Sequence, residues 1–225
     1  MNIRSLSLTL TAVVGIAFAA AVYGAGASSE GLVPLHSWNL DELYLKPDAD
    51  LAKYRKIAID PVQVVFRKDW NRDFVDPHAS VRRLSADDER RIAEDAAADM
   101  ARALAEAFQA RGYEVVSAPG PGVLRLTSSV TDLYVNAAEE LQTGGTTKSF
   151  SKDAGAATLV LDVRDGASGL LLGHVVDRRT VRETKGTQLR DVIRTSQISN
   201  NFWLDQTFRQ WAGDCIKEFE VARKS

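Results

Sequence analysis

The segment from Ser85 to Gly112 constrains this chain more than any other. Ile92, Ala96, Met100, Leu104 and Phe108 recur every four residues, so one stripe of a helix is apolar and has to be covered. Ser85 stands where an N-cap belongs. Asp87, Asp88 and Glu89 fall in the first turn, where carboxylates meet the positive end of the helix dipole, and Gly112 closes the pattern after Arg111. Many alanines thin the helix, which suits close contact with a sheet.

The strands to cover that stripe lie on both sides of it. Leu43 to Leu45 reads as a short strand after a polar, irregular start, and Lys56 to Phe66 as a longer one. Pro61 interrupts the second run. A proline has no N–H to give a ladder, so the run must bulge there or lie at an edge. Residues 67–84 read as a long loop. After the helix come a strand at Tyr113–Ser117, a turn at Ala118–Gly122, and a long strand, Val123–Val135, whose alternation slips between Val130 and Leu133 and so predicts a bulge. Residues 136–155, with Gly144 and Gly145, read as a loop. Thr158–Arg164 alternates with Leu159, Leu161 and Val163 on one face, and Gly166–Gly169 turns it into Leu170–Arg182, which makes a hairpin. A last helix begins near Asn200 and carries Leu204, Phe208, Trp211, Cys215 and Phe219 at helical spacing. The order strand, helix, strands, helix predicts an α+β fold: a mixed, largely antiparallel sheet with two long helices packed on one face.

The N-terminus reads as an export signal. Arg4 precedes an apolar stretch from Leu6 to Val22, and Ala25-Gly26-Ala27 supplies the spacing of a signal-peptidase site, which places the cut before Ser28. The expected organisation is a signal peptide over 1–27 and one α+β domain over 28–225. The apolar stretch is about the shortest that spans a bilayer, so retention as an anchor stays open. After cleavage no membrane-spanning segment is expected. The expected location is the periplasm, with possible outer-membrane association.

Removing residues 1–27 leaves 27 basic and 30 acidic side chains, a net charge of −3. That balance argues against nucleic acid as a partner, which calls for a basic excess on one face. The only cysteine, Cys215, permits no internal disulfide and stands on the last helix's apolar stripe, where a thiol acts as a small buried hydrophobe.

No reactive constellation emerges. His36, His78 and His174 have no partners at metal-ligand spacing. Gly144-Gly145-Thr146-Thr147-Lys148-Ser149 fails as a phosphate loop, because Thr147 occupies the place of the glycine that must precede the lysine. Gly166-Ala167-Ser168-Gly169 joins two strands and is followed by Leu170, so it is no nucleophile elbow. Asp60 and Asp177 stand on strands, where a carboxylate is partly buried and needs a partner; an arginine such as Arg178 or Arg179 is the expected one for Asp177. No catalytic, cofactor-binding or metal residue is assigned, and no cofactor is implied.

Three segments carry a resemblance. They are Tyr54–Phe66 with Ile59-Asp60-Pro61-Val62 at its centre and Trp70 beyond it; Gly155-Ala156-Ala157-Thr158-Leu159-Val160-Leu161-Asp162-Val163-Arg164-Asp165, continuing through Gly169–Gly173 to Asp177-Arg178-Arg179; and Phe208-Arg209-Gln210-Trp211-Ala212. Taken in order they resemble DUF3313, a family of uncharacterised Gram-negative envelope proteins, mostly outer-membrane lipoproteins. The resemblance spans roughly residues 40–222 and implies the envelope as compartment, with no catalytic residues to carry over. This chain departs from the family in lacking the lipid-accepting cysteine after its signal, which implies a form soluble in the periplasm.

Three functional readings follow. The first is a non-enzymatic accessory that binds another envelope protein, with the loops around Trp70 and Gly144 as its surface. The second is a small-molecule or lipid-binding protein with a cavity enclosed by Phe202, Trp203, Phe208 and Trp211. The third is a hydrolase using Asp60, His78, His174 or Asp177.

Overall fold

The computed structural model describes residues 31–68, 70, 85–135, 153–182 and 197–224. The strands are β1 (Val33–Leu35), β2 (Glu42–Leu45), β3 (Lys56–Ile59), β4 (Gln63–Phe66), β5 (Glu114–Val116), β6 (Val123–Val135), β7 (Asp153–Asp165) and β8 (Leu171–Arg182), and the helices are α1 (Ala86–Gln109) and α2 (Gln197–Ala222). The strands form one sheet in the order β1-β2-β8-β7-β6-β3-β5, with β4 also paired to β6. From β1 to β6 every pairing is antiparallel, whereas β3 and β4 run parallel to β6, and β5 parallel to β3. The sheet is therefore mixed, and its longest ladders are the antiparallel ones of β6, β7 and β8.

Both helices lie on one face because a single apolar cluster joins them to the inward-pointing positions of the strands. Ala96, Met100, Leu104 and Phe108 of α1 and Leu204, Phe208, Trp211, Cys215 and Phe219 of α2 meet Leu124, Leu126, Val130, Leu159, Leu161 and Val175 there. The spacing of four in each helix and of two in each strand turns these residues toward one another. Ile92, first in the α1 stripe, is only half-buried. Ser85 caps α1 as its sequence predicts: its hydroxyl accepts from the Asp88 N–H while the Asp88 carboxylate accepts from the Ser85 N–H, a reciprocal box that contributes about 1 kcal/mol. Gly112 ends the run at φ +81°, the left-handed region where a side chain is strained.

The run around Pro61 resolves into two strands. β3 pairs with β6 over Ile59↔Leu126, β4 resumes at Gln63↔Ser129, and Asp60 to Val62 spans the break, so the missing N–H of Pro61 costs no ladder bond. β3 is an interior strand, flanked by β5 and β6, and β4 lies outside β6. The predicted bulge in β6 is present: register shifts between Thr131 and Tyr134, and Asp132 takes φ +50°.

β1 differs from expectation, since residues 33–35 read as irregular but pair with β2. Its position is instructive. The Lys46 N–H donates to Leu172 O at 2.8 Å, so Lys46 and Tyr44 turn their backbone groups toward β8, and Leu43 and Leu45 turn theirs toward β1. Pro34, opposite Tyr44, then faces outward, and the exposed edge of the sheet lacks an N–H at that position. At the β7–β8 hairpin, the Asp165 carboxylate accepts from the N–H groups of Ala167 and Ser168, from the Ser168 hydroxyl, and from the Tyr54 hydroxyl at 2.7 Å.

Candidate functional site

Two polar groupings stand out, one on each face of the sheet. The first lies under α2. Along β8, Val175, Asp177 and Arg179 alternate with His174, Val176 and Arg178, and the odd positions face the helices. Asp177 is buried, at 4% exposure, and saturated: Oδ2 accepts from Arg179 Nε at 2.8 Å and Trp211 Nε1 at 2.6 Å, and Oδ1 from the Asp41 N–H at 3.1 Å. Arg179 reaches on to Asp214 Oδ2 at 2.8 Å and Gln210 Oε1 at 3.1 Å. Burial pulls the Arg179 guanidinium down, but its bonds to Asp214 and Asp177 outweigh this and hold it above its usual range. Arg178, the other candidate partner of Asp177, instead donates its backbone N–H to Asp41 Oδ2 at 2.9 Å. Every group in this knot is engaged in holding α2 and the β1–β2 connection to β8, which is a structural task.

Cys215 lies beside the knot. Burial pushes its thiol up to about 12, and the carboxylates of Asp177 and Asp214 add to the effect, so the thiolate is disfavoured and the residue is a poor nucleophile. Phe208 and Trp211 are fully buried in the apolar cluster, so they fill the core and do not line a cavity. The side chains of Phe202 and Trp203 lie outside the described residues.

The second grouping crosses the sheet face opposite the helices. Register places Tyr44, His174, Asp162 and Thr127 side by side across β2, β8, β7 and β6, and the Thr127 hydroxyl donates to Asp60 at the end of β3. Asp60 also takes Arg125 Nε at 2.8 Å, the arginine partner expected for a strand carboxylate. Asp162 takes His174 Nδ1 at 2.7 Å and Arg164 Nη2 at 3.0 Å. Burial raises the Asp162 carboxyl, and the bonds from His174 and Arg164 overcome that, leaving it below its usual range. One register along, Arg125 and Arg164 are direct cross-strand partners. Two like charges so placed repel, and Asp60 and Asp162 offset them. The next row, Val176, Val160 and Ser129, is aliphatic and small. Ala156 and Val160 are buried but lie outside the helix-side cluster. The Ser129 hydroxyl is buried with no hydrogen-bond partner among the described residues.

The residues that would serve a hydrolase do not converge. Asp60 and His174 share the open face with β6 and β7 between them, Asp177 points the other way, and His78 lies outside the described residues. Trp70 itself is 5% exposed and stacked on Phe66 at 4.4 Å, so its ring is buried, while residues 71–84 of the loop expected as partner surface lie outside the described residues. Gly144 lies outside the described residues. The open-face row was hidden in the sequence. Asp162 and His174 stand twelve residues apart across the hairpin, Thr127 and Tyr44 are distant in the chain, and the β2–β8–β7–β6 register aligns all four.

Fold and site together define an α+β protein with a helix-backed mixed sheet whose opposite face bears charge-compensated side chains. The chain belongs to the family described as protein of unknown function DUF3313, whose model matches residues 27–214. No curated protein sequence matches it. Among solved structures, the PelC dodecamer from Paraburkholderia phytofirmans is similar at 10% identity and TM-score 0.37, over 76% of this chain and 95% of that one. A DUF4136 family protein from Bacteroides thetaiotaomicron is similar at 10% identity and TM-score 0.36, over 84% of this chain and 97% of that one. Both scores are too low to bear on function.

Proposed function

We propose that this protein is exported to the cell envelope and works there as a non-enzymatic binding component, using the sheet face opposite its helices to meet another envelope protein. The observation that supports binding is the state of that face. Its carboxylates are tied to Arg125, Arg164, Thr127 and His174, so they offer a fixed pattern of donors and acceptors and no free base, and a small aliphatic row runs beside them. Arg4, the apolar Leu6–Val22 stretch and Ala25-Gly26-Ala27 support export. No described helix is long and apolar enough to cross a membrane.

Fractionation with N-terminal sequencing tests the compartment: a processed chain starting at Ser28 in the periplasm is expected, and an unprocessed cytoplasmic chain overturns export. A photo-crosslinking residue placed at Thr158 on the open face and, as control, at Glu94 on α1 tests the surface. A discrete adduct from position 158 alone is expected in living cells. Equal adducts from both positions, or none, would sink the binding reading.

A further inference from the structure

Six large hydrophobic side chains are exposed among the described residues, and three of them, Val33, Leu35 and Trp38, fall within six positions at the β1 edge. Trp38 is 91% exposed and stands edge-on to His36, with ring centroids 4.5 Å apart. Val33 and Leu35 are paired to Leu45 and Leu43, so they extend the apolar face of the sheet beyond the reach of the helices. The surrounding stretch, Gly31 to Leu40, contains no Asp, Glu, Lys or Arg, in a chain that is 26% charged. Its own side chains are neutral, and on either side of Trp38 the Ser37 hydroxyl and the Asn39 amide hold the Glu218 carboxylate of α2 at 2.8 and 3.0 Å; exposed apolar side chains gathered at one edge mark an interaction site.

The occupant follows from three observations. Strand addition by a second copy or another protein is disfavoured, because the outward position of β1 is Pro34 and offers no N–H. Three exposed side chains supply far less than the roughly 800 Å² per partner of a stable protein interface. And Val33 comes eleven residues after Val22, where the apolar stretch ends, a span of at most about 40 Å, so the edge leaves the export machinery next to a bilayer. We infer that Val33, Leu35 and Trp38 form a membrane-docking edge that seats in the headgroup region of a lipid bilayer, where an indole finds both its apolar and its polar environment. The inference rests on the envelope reading above and adds the surface at which the protein meets the membrane.

The test is flotation of the processed chain with vesicles of phosphatidylethanolamine and phosphatidylglycerol and with vesicles of phosphatidylcholine alone. Binding to both is expected, because the docking side chains are apolar, with the neutral vesicles bound at least as well because the nearby Glu218 is anionic. Trp38→Ala lowers the partition coefficient about tenfold, the share of one large aromatic side chain, while Leu170→Ala at the hairpin tip leaves it unchanged. Trp38 is solvent-exposed, so its replacement does not endanger the fold. Brominated lipid quenches the fluorescence of the parent chain more than that of Trp38→Phe, which reports contact at this residue. No flotation, or equal flotation of Trp38→Ala, overturns the inference, as does a self-associated form lost in Trp38→Ala without vesicle binding. A chain that binds vesicles through Trp38 but fractionates with the cytoplasm refutes the envelope reading alone.

Discussion

Replacing Asp177 by alanine strips three donors of their acceptor at once: the Trp211 indole N–H, the Arg179 Nε–H and the Asp41 amide. Trp211 is fully buried and has no water to turn to. Arg179 keeps Asp214 and Gln210, so its charge is not left wholly uncompensated. Removing one partner of a buried pair costs about 3–5 kcal/mol, and the surviving bonds of Arg179 place Asp177→Ala near the middle of that range, about 4 kcal/mol. For a chain of this size that is a fall in melting temperature of about 8–16 °C. Asp177→Asn keeps a carbonyl acceptor but loses the charge and sets an NH2 against one of the donors, and costs about 2 kcal/mol. Trp211→Phe removes a single donor and costs about 1 kcal/mol through the hydrogen bond, plus what the smaller ring loses in packing. Urea unfolding followed by far-ultraviolet circular dichroism gives these differences at constant slope, without depending on the fluorescence of Trp211 itself. If Asp177→Ala lies within about 1 kcal/mol of the parent, the knot is not what fixes α2 to β8, and the account of Asp177 as structural loses its basis.

Four further outcomes follow from the same geometry. A Cβ at Gly166 would stand 2.7 Å from Val123 O and 2.8 Å from Gly120 O, both backbone atoms, so Gly166→Ala destabilises by about 1–3 kcal/mol in thermal unfolding. Ser128→Ala, which removes a buried hydroxyl that has no hydrogen-bond partner among the described residues, is neutral or stabilising by up to about 1 kcal/mol in the same assay. Native Cys215 stays unlabelled by a maleimide at pH 8 and reacts only as fast as the chain opens; labelling as fast as a free thiol would contradict its burial. The carboxyls of Asp162 and Asp165 lie below their usual range, the first through His174 and Arg164 against the opposing effect of burial, the second through Tyr54 and then Ser168. A depressed folded-state value means stability that is complete above the unfolded value, near pH 4, and is lost as pH falls below it, so Asp165→Asn flattens the acid limb of the stability profile.

The sequence carried a good deal of this structure, and did so wherever a local rule sufficed. The stripe from Ile92 to Phe108 and the cap at Ser85 specify α1, because spacing and capping act within a few residues. The slipped alternation between Val130 and Leu133 announces the bulge at Asp132, and the Gly166–Gly169 turn announces the hairpin, for the same reason. Leu204 to Phe219 likewise turn one apolar face of α2 to the core. What sequence left open depends on partners distant in the chain. Val33–Leu35 has no strand pattern of its own and becomes β1 only because β2 offers it an edge. Pro61 was compatible with a bulge or an edge, and only the placement of β3 and β4 along β6 decided that the run breaks in two. Trp70 reads as a loop residue until Phe66 is seen beneath it. Asp177 needed an arginine, but whether Arg178 or Arg179 served was settled by the strand's alternation against α2, since one points to the helix and the other away. The alignment of Tyr44, His174, Asp162 and Thr127 was decided by register alone. Neighbouring strands bring into contact residues that no local spacing connects, and the pattern of a binding face is a property of that registry.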